Sequence, residues 1–272
     1  MNQLVGSSRQ SRASVRPSKP PQDRHFVTAL ARGLDVLACF RSGENLLGNQ
    51  ELAQRCGLPK STVSRLTQTL MRQGYLTQER ESGKFRLGEA TVALGGAALA
   101  RLDMAQTARP LMQALADESG GMVALALPNS TSMIYLEVCR SQETLTSILG
   151  VGSRLPMATS AIGRAYLAGV TEAERDSLLG RIRQRKPASW PQTQGALQRA
   201  LADYRTLGCT CSFSEWHRGV NAIAVPLAPG VNRPVAAINC GGPVSEMSQG
   251  YLLKSVRPRL LELVARLHAM LR

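Results

Sequence analysis

The sequence predicts an α+β protein: an N-terminal winged helix–turn–helix head, a linker helix, and a C-terminal α+β domain with an antiparallel sheet. Three observations lead there. Residues 49–70 carry the spacing of two helices joined by a tight turn. A Ser-Gly turn between two short strand-like runs follows directly. Beyond residue 103, apolar periodicity switches repeatedly between that of helices and that of strands.

The helical pair comes first. In NQELAQRCGLPKSTVSRLTQTL, Ala53 is small where two helices must cross closely, and Gly57 falls where the turn needs a left-handed backbone. Pro59 opens the second segment, where a missing N–H costs little. Leu52, Leu58, Val63, Leu66 and Leu70 share one face. That leaves Lys60, Ser61, Thr62, Ser64 and Arg65 on the early, outward part of the second helix, the part that faces a major groove. Before the pair, Val27, Leu30, Leu34, Leu37 and Ala38 form the apolar face expected of a supporting helix over 27–41, with Arg32 on its other side within reach of phosphate. Gly43 to Gly48 breaks the chain between them.

Residues 75–80 and 85–87 read as two strands of a hairpin, joined by Glu81-Ser82-Gly83-Lys84. A hairpin directly after a recognition helix is a wing, and Arg80, Lys84 and Arg86 are placed on it for phosphate or a minor groove. Residues 88–102, rich in Ala, Leu and Gly, read as a helix that joins the two domains, with Gly95-Gly96 a candidate bend. Its small residues suit close packing, including packing against a second copy.

Charge agrees with this layout. The 272 residues hold 33 Lys+Arg against 19 Asp+Glu, a net charge of +14. Residues 1–90 contain 14 basic and 7 acidic residues, and the remaining 182 contain 19 and 12. Positive charge is therefore about twice as dense around the helical pair, as contact with phosphate requires. Duplex DNA fits better than RNA or an anionic membrane, because the basic surface comes with a helical pair and a turn glycine. The Ser/Arg/Pro-rich residues 1–24 read as a disordered basic tail without the apolar core of a secretory signal. No window is apolar for the length of a membrane span.

After residue 103, helices are expected over 103–119, 158–169, 172–186, 193–207 and 246–271. Strands are expected over 122–127, 133–138, 209–214, 220–227 and 235–240. No G-x-S-x-G, phosphate loop or metal-ligand run occurs, so no catalytic residue, cofactor or metal is expected. His217, beside Glu215 and Trp216, reads as structural or pocket-lining. The six cysteines form no C-x-x-C pair. Cys39 and Cys56 fall on apolar helix faces, and Cys209 and Cys211 point to one side of a strand, as small buried residues of a reduced, cytoplasmic protein.

These pieces together resemble the IclR family of bacterial transcriptional regulators. The resemblance rests on GLPKSTVSRLTQTLMRQGYL followed by GKFRLG, and spans about residues 25–272. Gly152-Ser153-Arg154-Leu155-Pro156-Met157, with Ala161-Ile162-Gly163-Arg164-Ala165, is similar to the family's GxxLPLHAxxxGKA stretch. Gly219-Val220-Asn221-Ala222-Ile223-Ala224-Val225-Pro226 is similar to its GVRCIAAPV strand, and Gly241-Gly242-Pro243 stands where SGP ends the last strand. The resemblance implies a homodimer, often a dimer of dimers, on palindromic double-stranded operator DNA. It divides the chain into a head over 25–88, a linker helix over 89–102, and a GAF-like effector-binding and oligomerisation domain over 103–272. The implied effector is a small organic or aromatic acid, in a pocket drawn from Leu155, Ala161, Ile162, Ser212, Val220, Ala222, Asn239 and Gly241.

The chain departs from the family at three places. Ala158 replaces a histidine, Ser212 and Phe213 replace an acidic pair, and Asn239-Cys240-Gly241 replaces SIS. The small residues at 158, 222 and 241 leave room either for a ligand or for a repacked core. Arg140, Arg154 and Arg218 are candidates for pairing with a carboxylate, which a guanidinium binds in a fork. Two rivals follow: a constitutive DNA binder whose second domain only oligomerises, and an enzyme with a DNA-binding head, for which Cys211 or Ser212 lacks a base in the sequence.

Overall fold

A computed structural model describes residues 25–41, 46–99, 103–141, 149–185, 187–228 and 235–271. The expectations for the tail at 1–24, for 43–45 and for 100–102 lie outside the described residues.

The head is built of α1 (Thr28–Ala38), α2 (Asn49–Cys56) and α3 (Lys60–Arg72), then a hairpin of β1 (Leu76–Gln78) and β2 (Phe85–Leu87). Glu51 Oε2 accepts from the Gly48 N–H at 2.7 Å and fixes the start of α2. Gly57 ends it at φ 63°, the left-handed turn the spacing requires. Leu52, Ala53 and Val63 are buried, with Leu58, Leu66 and Leu70 packed against them. In the hairpin Leu76 pairs with Leu87 and Gln78 with Phe85, and an antiparallel bridge from Leu47 to Phe85 anchors the wing to the segment before α2.

The supporting helix is turned relative to its expected face. Val36, Leu37, Cys39 and Phe40 meet the core of the head. Val27, Leu30 and Leu34 are 61%, 63% and 56% exposed, and Ala38 is exposed too. Both sides of α1 are apolar, so sequence periodicity could not show which one the head itself covers.

The linker helix α4 (Glu89–Leu99) runs through Gly95 and Gly96 without interruption. In the second domain α5 (Asp103–Ser119) precedes β3 (Met122–Asn129), β4 (Ser132–Arg140) and β5 (Arg154–Pro156). Helices α6 (Ala161–Gly169), α7 (Glu172–Arg185) and α8 (Trp190–Leu207) follow, then β6 (Thr210–Phe213), β7 (Val220–Leu227) and β8 (Ala236–Pro243). The chain closes with α9 (Gln249–Tyr251), a π-helical turn over Leu252–Val256, and α10 (Arg257–Met270). Pro258 has no N–H to offer the carbonyl of Lys254, which accounts for the widened turn.

The six strands form one antiparallel sheet in the order β5-β4-β3-β8-β7-β6. Alternation along β3 divides the core in two. Val123 and Leu125 pack with α5 and α10 on one face, and Met122, Ala124 and Ala126 pack with α6 and Leu197 of α8 on the other. A bulge displaces the β3–β4 register after Leu125. Tyr135 therefore faces the α6 side, while Glu137 and Cys139 turn to α5. Several elements differ from expectation. Strand β5 stands where the sequence predicts no element, because three residues carry too little periodicity. Helix α6 begins at 161 rather than 158, because Ser160 caps it, with its Oγ accepting from the Gly163 N–H at 3.2 Å.

Candidate functional site

On the head, α3 presents Lys60, Ser61 and Arg65 to solvent, with Thr62 half-buried between them. Asn49, the first residue of α2, donates its Nδ2 to Ser64 Oγ at 3.0 Å and to the Lys60 carbonyl at 3.3 Å. Lys60 Nζ donates to Gln50 Oε1 at 3.1 Å. These bonds fix the N-terminal turn of α3 against α2, so Ser64 and Lys60 brace the recognition helix as well as edging its outer face. Arg80, Lys84 and Arg86 stand exposed on the wing, and Arg32 is exposed on α1. The wing turn is held by Gln78 Nε2 donating to the Gly83 carbonyl at 2.8 Å.

In the second domain a cavity of about 330 Å³ opens between the sheet and the N-terminus of α6. Leu155, Ala161, Ile162, Ser212, Val220, Ala222, Asn239 and Gly241, the eight positions drawn from the motifs, all line it. The structure adds Met122, Tyr135, Leu149, Ser160, Trp216, Gly242 and Pro243, and His217 lines the cavity as well. Arg140, Arg154 and Arg218 are not among the lining residues, and neither is Ala158. Arg140 instead donates through Nη2 to the Leu149 carbonyl. Gly241 has a packing reason: a Cβ there would stand 2.5 Å from the Asn221 carbonyl oxygen and 2.6 Å from Ala222 Cβ. Its lack of a side chain lets β7 and β8 approach and is not spare ligand volume.

The lining is apolar apart from a few polar groups. Ser212 Oγ is spent on the Thr159 carbonyl at 2.8 Å, and Ser160 Oγ donates to the Pro156 carbonyl at 2.6 Å. Two polar atoms are left over. Tyr135 Oη and Asn239 Oδ1 are buried without a hydrogen-bond partner. Burial pushes the Tyr135 phenol well above its usual pKa, while a side-chain contact with Asn239, short of full hydrogen-bond geometry, and the charge of Arg140 pull in the opposite direction. Tyr135 is therefore a neutral O–H. Unpaired buried polar atoms cost about 1–3 kcal/mol each, which a ligand carrying matching groups would recover. Ala161 and Ile162, in the first turn of α6, line the same cavity, and the unpaired N–H groups of a first helical turn favour a carboxylate.

Arg164, on the motif that opens α6, is the largest fully buried side chain among the described residues. Its Nε donates to the Ala158 carbonyl at 3.0 Å and Nη1 to the Cys211 carbonyl at 2.7 Å. Nη1 and Nη2 also grip Glu215 at 2.9 and 2.7 Å. The guanidinium hydrogen bond holds the Glu215 carboxyl below its usual pKa, against an opposing effect of burial. One side chain thus ties the start of α6, the edge strand β6 and the segment that carries Trp216 and His217 to the cavity. The sequence signal was a cation four residues beyond the Ser160 cap, on a helix face otherwise apolar.

A basic winged helix–turn–helix head, joined by a helix to an α+β domain enclosing a small-molecule cavity, defines a class of DNA-binding transcriptional regulators. The comparisons with known proteins narrow the class. Residues 29–80 match the IclR helix-turn-helix domain, and residues 96–268 match the bacterial transcriptional regulator IclR C-terminal domain. The chain belongs to the IclR family. It is 33% identical over 250 residues to the HTH-type transcriptional regulator TsaQ1/TsaQ2 of Comamonas testosteroni, covering 91% of this chain and 89% of that protein. The crystal structure of an IclR family transcriptional regulator from Brucella abortus is similar at 45% identity and a TM-score of 0.80, covering 94% of this chain and 96% of that one. The fold is shared with an IclR homologue from Microbacterium hydrocarbonoxydans complexed with 4-hydroxybenzoate, at 24% identity and a TM-score of 0.69, over 90% of this chain and 99% of that one. These relatives are transcriptional regulators rather than enzymes.

Proposed function

We propose that this regulator binds operator DNA through the α3 face and that a small organic acid, bound in the second-domain cavity, modulates that binding. The carrying observation is the cavity itself. It is apolar along its walls, has the N-terminus of α6 on one side, and holds two unpaired buried polar atoms, Tyr135 Oη and Asn239 Oδ1. An aromatic acid suits it: the carboxylate meets the α6 N–H groups, and a hydroxyl on the ring both donates to Asn239 and accepts from Tyr135. The 4-hydroxybenzoate in the related structure supports this class of ligand.

On DNA, Ser61, Thr62 and Arg65 read base edges, and Lys60, Arg80, Lys84, Arg86 and Arg32 contact phosphate. Ser64 contributes through its bond to Asn49, which sets the pitch of α3. The protein acts as a homodimer or a dimer of dimers. Phe26 and Val27 just before α1, Leu30 and Leu34 on it, and Val92 and Leu94 on α4 expose apolar surface that a second copy would cover. Two α3 helices would then enter successive major grooves about one helical turn apart. Among the described residues no helix is long and apolar enough to cross a membrane, and a regulator of operator DNA works in the bacterial cytoplasm.

The test is a thermal-shift and titration panel of benzoate, 4-hydroxybenzoate, pyruvate and glyoxylate on the full chain. An acid that binds raises the melting temperature by mass action and changes the footprint on the promoter DNA. Tyr135→Phe should weaken a hydroxylated acid about 5- to 10-fold and leave benzoate unaffected. If no acid in the panel shifts the melting point, the effector reading fails and the constitutive binder takes its place.

A further inference from the structure

The head contains a pair of cysteines for which DNA recognition has no use. Cys39 follows the last turn of α1, and Cys56 is the final residue of α2. They are 17 apart in sequence, yet their Sγ atoms stand 3.1 Å apart. A disulfide bond is about 2.05 Å long, so an approach of about 1 Å closes the gap. Two further contacts fix the pair. Arg55 Nη1 donates to the Cys39 carbonyl at 3.0 Å, joining the two helix ends, and the Cys39 thiol donates to the Asp35 carbonyl at 3.3 Å. Access is selective. Cys39, Cys139, Cys209, Cys211 and Cys240 are buried, and Cys56 alone of the six is partly exposed.

We propose that Cys39 and Cys56 form a reversible oxidative modification site, a disulfide that staples α1 to α2 when the cell meets a peroxide.

The chemistry balances with hydrogen peroxide as the oxidant. The Cys56 thiolate attacks one peroxide oxygen; an S–O bond forms, the O–O bond breaks, and the departing hydroxide takes up the thiol proton as water. Cys39 then attacks the sulfenic sulfur of Cys56; the S–S bond forms, the S–O bond breaks, and the second oxygen leaves as water with the Cys39 proton. Two thiols and one peroxide give one disulfide and two waters, with two electrons passing from sulfur to oxygen. Burial, then the hydrogen bond with Cys39, then the Cys39 and Asp35 charges push the Cys56 thiol up to about 12. Thiolate is scarce at neutral pH, so the site reacts with sustained oxidant rather than a brief pulse.

The consequence is local. Ser61, Thr62 and Arg65 lie beyond the Gly57 turn, so an approach of about 1 Å at the base of α1 and α2 leaves the recognition surface in place. The bond removes freedom from the unfolded head, and α1 and α2 open less often.

Peptide mapping of the full reduced chain after hydrogen peroxide treatment tests the site. The expected product is a Cys39 peptide linked to a Cys56 peptide, released by dithiothreitol, with Cys139, Cys209, Cys211 and Cys240 recovered as thiols. Hydrogen exchange on the same oxidised protein should slow in α1 and α2 by about 10- to 100-fold, and Cys56→Ser should show neither change. The wild-type map and its reversal by dithiothreitol stand even if Cys56→Ser folds poorly. Unmodified thiols, or Cys56 recovered as sulfinic acid without a link to Cys39, overturn the pair. Linked peptides with unchanged exchange overturn the staple.

Discussion

Replacing Arg164 with Met removes the fastening behind the cavity and keeps most of its volume. The side chain is 2% exposed, and its Glu215 partner is 41% exposed. Two costs follow. The carbonyls of Ala158 and Cys211 lose their donors in a buried setting, at about 1–3 kcal/mol each. Glu215 loses its cation, yet it is open enough to rehydrate, so the ion pair itself contributes no more than about 1 kcal/mol. Burying a thioether instead of a guanidinium returns part of the desolvation cost. The expected loss is about 3 kcal/mol. Glu215→Gln keeps an acceptor opposite the guanidinium and should lose only about 1 kcal/mol. Urea unfolding followed by tryptophan fluorescence measures both, since Trp190 and Trp216 lie in the second domain. The double variant should be no less stable than Arg164→Met, because the two changes break one network. An Arg164→Met chain within about 0.5 kcal/mol of wild type would refute the reasoning. So would a Glu215→Gln chain as unstable as Arg164→Met, since the carbonyls would then carry no weight.

Arg65→Ala should abolish discrimination between the operator and unrelated duplex while the fold stays intact, a loss of about 10- to 100-fold in specific affinity; an unchanged footprint on the promoter DNA sinks the assignment. Lys84→Ala and Arg86→Ala should weaken binding to every duplex alike and each lower the salt slope by about 1, read from titrations at several salt concentrations. Leu30→Glu with Leu34→Glu should turn the assembly into smaller species in sedimentation, and an unchanged sedimentation coefficient would clear α1 of any part in dimerisation. Acid should release the Arg164 fastening. Because the folded pKa of Glu215 lies below its unfolded value of about 4.5, the contribution is present above that pH and fades as pH falls through the folded pKa. Wild type and Glu215→Gln should therefore converge in stability toward low pH, and parallel curves would contradict the pairing.

Local features were legible and long-range ones were not. The turn at Gly57 and the Ser-Gly wing depend on neighbours within four residues, and sequence spacing conveys them; the cap at Ser160 is as local, yet the helix expected from 158 runs past it. The eight cavity positions came from the motifs of the resemblance; six of them lie on β7, β8 and the start of α6, regular elements in which a motif fixes the face each residue takes, and Leu155 and Ser212 lie on the short strands β5 and β6. Tyr135 escaped because the bulge in β4 reverses alternation just beyond it, and a period of two continued through Glu137 would place the wrong residues at the cavity. Arg164 escaped because two of its acceptors lie 47 and 51 residues away. The face of α1 escaped because both its sides are apolar, and only one of them meets the head.

The sheet separates the cavity from α5, which packs on its other face. Along β8, Asn239 and Gly241 face the cavity, and Cys240 between them faces α5, with its Sγ 3.6 Å from Ser119 Oγ. Along β4, Tyr135 faces the cavity, and past the bulge Glu137 meets Arg109 of α5 at 2.6 Å. Met122 lines the cavity while Val123 packs in the core that α5 shares. Three of the strands that line the cavity, β3, β4 and β8, thus carry a residue that meets α5 within two positions of one that faces the cavity. The interior between them is close-packed, so a shift of a strand cannot be absorbed in free space and must move the helix or be resisted by it. A ligand changes the heads only in proportion to its preference for one arrangement of α5 over another. Tyr135 Oη and Asn239 Oδ1, buried without a full hydrogen bond, are where such a preference has the most to act on.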